Sequence, residues 1–147
     1  MTKLKDVKPG QFLYTVYIDY DDNGNCITIT IAQRKITNIR ENTRHPKIKT
    51  IMMVERIDCK YFGDIVDFPK EEDDKYLIEN RLGVFDFIYC FSEEVFMEQI
   101  NKTLRKVKEE LATKNMFYFI NSYYHKFMPN LMAMLNSNKS TYVQITI

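Results

Sequence analysis

The chain is short of most residues that announce a particular class of protein. Of its 147 residues none is tryptophan, and it has only four glycines, four prolines and three cysteines. So little Gly and Pro leaves no room for flexible linkers and marks no second domain. Cys26, Cys59 and Cys90 are odd in number, widely spaced and set among apolar residues. That pattern excludes a disulfide framework and reads as buried free thiols in a reducing compartment. Charge of one sign is missing too, because 21 Lys and Arg face 20 Asp and Glu for a formal net charge of +1. A bulk basic field for nucleic acid and a bulk acidic one that imitates it are both excluded, although local patches are not.

Long apolar runs are absent as well. The most apolar stretch, 116–135, is interrupted by Asn121, Ser122, His125, Lys126, Pro129 and Asn130, which rules out a span of the bilayer. The first residues, Met-Thr-Lys-Leu-Lys-Asp, lack the apolar segment of a signal peptide. The expectation is one soluble domain over 1–147 with no membrane contact, placed in the cytoplasm of a bacterial host cell. Abundant Lys, Ile, Asn and Tyr, all with A/T-rich codons, agree with a bacterial or phage origin. Nor is there a G-x-S-x-G, a phosphate loop or a dinucleotide fingerprint. No catalytic residue, cofactor or metal ligand is therefore assigned.

What is present reads as α+β: a β-rich part over 1–91, then a helical part with a terminal strand over 92–147. Val7-Lys8-Pro9-Gly10 forms a turn into a strand from Phe12 to Tyr20, with Phe12, Tyr14, Val16, Ile18 and Tyr20 on one face. Asn23-Gly24 then marks a hairpin, since both residues tolerate the positive φ of a type I′ turn. The returning strand, 26–32, alternates Ile27, Ile29 and Ile31 against Thr28 and Thr30, and 36–39 continues it after a bend. Further strands are expected at 48–57, within 59–68 and at 82–91, with an acidic loop at 69–75. Short turns between several strands suggest a curled antiparallel sheet or a small barrel.

Ser92, followed by Glu93 and Glu94, reads as a helix cap, its hydroxyl serving free amides at the positive dipole end. Phe96, Ile100, Leu104, Val107 and Leu111 then recur at spacings of three and four, the stripe of a core-facing helix. Glu98–Lys102, Arg105–Glu109 and Lys106–Glu110 pair opposite charges one turn apart on its other face. A second helix begins near Lys114, with Pro129 expected to kink or restart it. Residues 141–147 alternate as a short strand.

Three features compete for a functional role. Asp19, Asp21, Asn23 and Gly24 imitate the start of a calcium loop, but Thr30 stands where a bidentate Glu belongs and strands flank the loop, so the hairpin explains them. Arg34, Lys35, Arg40, Arg44, Lys47 and Lys49 form a basic run beside the tyrosines of the first strand, a pattern that suits nucleic acid or an acidic protein partner. Glu71-Glu72-Asp73-Asp74 is its acidic counterpart, and the two together suit electrostatic docking. The last helix is apolar or aromatic on nearly every side, where one buried stripe would suffice. Its Tyr118, Tyr123, Tyr124, Phe127, Met128, Leu131 and Met132 are the candidate interface with a protein partner or a second copy of the chain.

The turn Val7-Lys8-Pro9-Gly10-Gln11-Phe12 resembles the strand-leading turn of SH3-like small β-barrels. With the curled strands and Ser-Glu-Glu helix that follow, the first ninety or so residues resemble accessory proteins of phages and mobile elements. The resemblance carries no catalytic residue. The family is functionally mixed; the function expected from the chain as a whole is a non-enzymatic binding protein, an inhibitor or adaptor on a host protein, with a nucleic-acid-binding barrel and an enzyme of dispersed residues as alternatives.

Overall fold

The computed structural model describes residues 1–44, 48–114 and 117–147, and the side chains of all of these except 117–123. Lys47, His45, Tyr118 and Tyr123 therefore lie outside what is described below. The strands are β1 (Phe12–Tyr20), β2 (Cys26–Asn42), β3 (Lys49–Val54), β4 (Ile65–Pro69), β5 (Leu77–Arg81), β6 (Phe85–Cys90) and β7 (Thr141–Thr146). Helices α1 (Glu93–Thr113) and α2 (Phe117–Ser137) lie between β6 and β7. The α+β order is as the sequence implied, and the sheet takes its curled, half-barrel form.

All pairings are antiparallel, in the order β4-β3-β2-β1-β6-β5, with β7 also on β2. β2 makes this possible by its length. Its first part lies between β1 and β7, and its last part, from Ile36, pairs with β3. Register slips between Ile36 and Asn38, so one extra residue re-aims the strand and lets β3 and β4 fold over the sheet. β3 and β7 thus meet end to end along one edge of β2. Ser140 holds that junction, its hydroxyl accepting from the Lys35 amide at 2.8 Å and donating to the Glu55 carboxylate at 3.0 Å.

The hairpin between β1 and β2 forms where Asn23-Gly24 places it, but by different geometry. Only Gly24 has positive φ, at 79°, and its amide donates to the Asp21 carbonyl at 3.0 Å. The Asp21 carboxylate accepts from the amides of Asn23 and Asn25, each at 2.9 Å. This is a tight turn closed by a left-handed glycine, with Asp21 doing the work that a second positive-φ residue does in type I′.

Each sheet face is covered. Val16, Ile18, Ile29, Ile31 and Ile88 face the helices, where Phe96, Ile100 and Leu131 are wholly buried. Complete burial of side chains this size stabilises by about 1.5–3 kcal/mol each. The other face lies inside the curl. There Leu13, Ile36, Met52 and Phe68 pack with Leu4 and Val7 from the N-terminal segment.

Four expectations need correction. Residues 82–91 are not one strand, because Gly83, at φ 87°, turns β5 into β6. Ser92 occupies the α1 cap position and its carbonyl accepts from the Phe96 amide at 3.1 Å, but its buried hydroxyl has no hydrogen bond. The charge pairs of α1 do not close as ion pairs. Glu110 reaches instead toward the Cys26 amide at 3.5 Å, and Lys106 lies 5.9 Å over the Tyr20 ring. Finally, Pro129 does not restart the helix, and α2 runs through it as one element. Pro129 and His125 are both exposed, so water can serve the carbonyl that proline leaves without an amide.

Candidate functional site

The basic run does not form one surface. Along β2, Arg34 continues the alternation of Thr28, Thr30 and Ala32, so it points into the curl and is only 2 % exposed. Its Nη1 donates to the Gly63 carbonyl at 2.6 Å, its guanidinium lies 5.0 Å from the Phe62 ring centre, and its Nε has no partner. Burial pulls the guanidinium pKa down from its ordinary value, and Asp64 and Tyr89 oppose that only in part. Arg34 is thus an internal clamp on the segment 55–64, which covers the open middle of the sheet. Tyr61 of that segment stacks on Tyr17 at 4.4 Å, and Phe62 meets Tyr17 edge-on at 6.2 Å. Lys35 and Lys49 are half-buried, with the Lys35 ammonium 5.9 Å from the Phe12 ring, while Arg40 and Arg44 stand exposed.

Three of the four carboxylates in Glu71-Glu72-Asp73-Asp74 are ion-paired within the molecule. Lys70 reaches Glu41 at 3.2 Å and Asp73 at 3.0 Å, Lys5 meets Asp74 at 2.7 Å and Lys75 meets Glu72 at 2.7 Å. Exposed pairs like these contribute little stability, but they reduce the field available for docking.

Cys26 and Cys90 are buried, and burial pushes both thiols up to about 12. Asp86 is 4 % exposed and accepts from Tyr20 at 2.7 Å and Arg81 at 2.8 Å, which makes it a strut between β1, β5 and β6. His125 is exposed beside Tyr124. No group of three His, Cys, Asp or Glu among the described residues is placed to hold a metal, and no described helix is long and apolar enough to cross a membrane.

α2 divides into three strips. Phe127, Leu131 and Met134 are buried against the sheet at 3 %, 0 % and 3 % exposure, so two of the candidate interface residues are core. On one flank, Tyr124, Met128 and Met132 follow at four-residue spacing, with Tyr124 55 % and Met132 45 % exposed. On the other flank, Asn130, Ala133 and Ser137 line an open groove of about 460 Å³ against β7.

One residue that sequence reading passed over sets this arrangement. Gln33 is buried, and its Nε2 donates to the carbonyls of Met134 at 2.7 Å and Lys139 at 2.8 Å. It thereby satisfies the end of α2, where Asn138 takes the left-handed conformation at φ 54°, and fixes the start of β7. A glutamine amid alternating Ile and Thr was the available signal. Compared with protein-family models, curated proteins and solved structures, the chain finds no match.

Proposed function

We propose that the protein is a non-enzymatic protein-binding module that contacts its partner through the exposed flank of α2. The observation that carries this reading is the strip Tyr124–Met128–Met132. Two large apolar side chains there remain about half exposed, beside a described core seam made by Phe127, Leu131 and Met134. Tyr offers rigid contact area with a polar tip, and Met adapts to irregular surfaces, so both are common where proteins meet. An inhibitor or adaptor on a host protein would work in this way, by occupying a surface and performing no chemistry.

The test is affinity capture with the full chain and with a Tyr124→Ser/Met132→Ser variant, followed by mass spectrometry. Both positions are exposed, so the variant keeps its fold. The expected result is a protein retained by the wild type and lost with the variant. Equal capture by both contradicts the reading.

A further inference from the structure

We propose a second binding element on the opposite flank of α2: the free edge of β7, which takes an extended, acidic peptide segment of a partner as an added strand. This stands on observations separate from the Tyr124–Met132 strip.

Among the described residues β4, β5 and β7 each pair on one side only. Proteins guard such edges with charge, proline or bulges. β4 carries Asp67 and Pro69, and β5 carries Glu79 and Arg81. β7, Thr-Tyr-Val-Gln-Ile-Thr, carries none of these. Its phase is set by the Ile147 amide, which donates to the Ile27 carbonyl at 2.8 Å. In an antiparallel ladder the bonded pairs alternate, so residues 141, 143 and 145 bond to β2. The amides and carbonyls of Tyr142, Gln144 and Thr146 point outward. They alternate donor and acceptor along about 13 Å, a pattern that another polypeptide strand answers and a phosphate backbone, offering acceptors alone, does not.

The groove beside this edge supplies the space. Ala133 stands in the middle of its helical wall with a short, exposed side chain, between Asn130 and Ser137. Gln33 holds the α2–β7 turn, so the two walls are fixed relative to each other.

Charge selects the occupant. Residues 111–147 contain Lys114, Lys126 and Lys139 and no Asp or Glu. Lys126 lies one helical turn before Asn130 on the groove strip, and Lys139 lies in the turn at the other end. Both are exposed. Glu55, the acidic neighbour at that end, keeps its charge and accepts from the Ser140 hydroxyl, so Lys126 at the far end of the strip carries the preference for acidic side chains.

The experiment records hydrogen-exchange protection by NMR on the ¹⁵N-labelled full chain. The probe is a pool of capped hexapeptides with Asp or Glu at alternate positions, and a matched pool carries Lys there. The acidic pool is expected to protect the Tyr142, Gln144 and Thr146 amides at least tenfold, and the Lys pool to leave them unchanged. Ala133→Glu, which fills the groove and adds a negative charge to its neutral lining, and Gln144→Pro, which removes an outward donor, should each abolish the protection. Tyr124→Ser/Met132→Ser should retain it, so loss of the edge site and loss of the α2-flank reading are separable. Absent protection, equal protection by the Lys pool, or protection that rises with protein concentration alone, as a second copy on the edge would give, overturns the proposal. So does displacement of the acidic pool from the edge by a single-stranded oligonucleotide.

Discussion

Arg34 Nη1 meets the Gly63 carbonyl at 2.6 Å while its guanidinium lies over Phe62, with no carboxylate among the described residues in an ion pair with it. A charge buried this way is held by one hydrogen bond and a ring face. Arg34→Ala removes the bond and the stem that fills the curl, at an expected cost of about 2–4 kcal/mol in urea unfolding. Arg34→Met restores the volume without the charge and should recover most of that loss, because desolvating the charge opposes its own interactions. Both variants should cut faster within 55–64 under limited proteolysis. An Arg34→Met protein as unstable as Arg34→Ala would show that the charge itself holds the fold.

Gly24 sits at φ 79° with open space where a Cβ would stand, so a side chain there strains only the backbone. Gly24→Ala is expected to cost about 1–2 kcal/mol, and Gly24→Asn clearly less, since Asn tolerates this conformation. Chemical denaturation of the two variants checks the order.

Asp21 accepts from the Asn25 and Asn23 amides, and these bonds hold its carboxyl below the usual 3.8. A depressed folded pKa stabilises above the unfolded value and is lost as pH falls through the folded one. The wild type should therefore melt above Asp21→Asn at pH 6, and the gap should close as the pH falls well below 3.8. A gap that persists at pH 2 would assign the difference to hydrogen-bond geometry and not to charge.

Cys26 and Cys90 are buried with thiols raised to about 12, whereas Cys59 is partly exposed. A thiol-specific reagent at neutral pH should modify Cys59 first, and all three only after unfolding. Prompt modification of Cys26 or Cys90 in the native protein would contradict their placement.

Legibility tracked how local each determinant is. β1 and β7 were readable to within a residue, because side-chain alternation and flanking turns lie in the same few positions. The β5–β6 turn was hidden, since Leu82-Gly83-Val84 offers one glycine between two exposed apolar residues and no polar turn chemistry. Arg34 was misread for a non-local reason. Its face follows from parity with Thr30 and Ala32 only once β2 is known to run unbroken through it, and only the fold shows that 55–64 covers that face. The candidate interface was half legible in the same sense. An all-round apolar helix is visible in sequence, but which strip the sheet claims is decided by packing, and Phe127 and Leu131 fall to the core.

The central claim, that the Tyr124–Met132 flank meets a protein, is tested most directly by methionine-oxidation footprinting of the captured complex. Met132 is 45 % exposed, and Met134, at 3 %, serves as the internal reference. A severalfold fall in Met132 oxidation on binding is expected, with Met134 slow in both states. Met132 oxidising equally fast in the free and bound protein would contradict it.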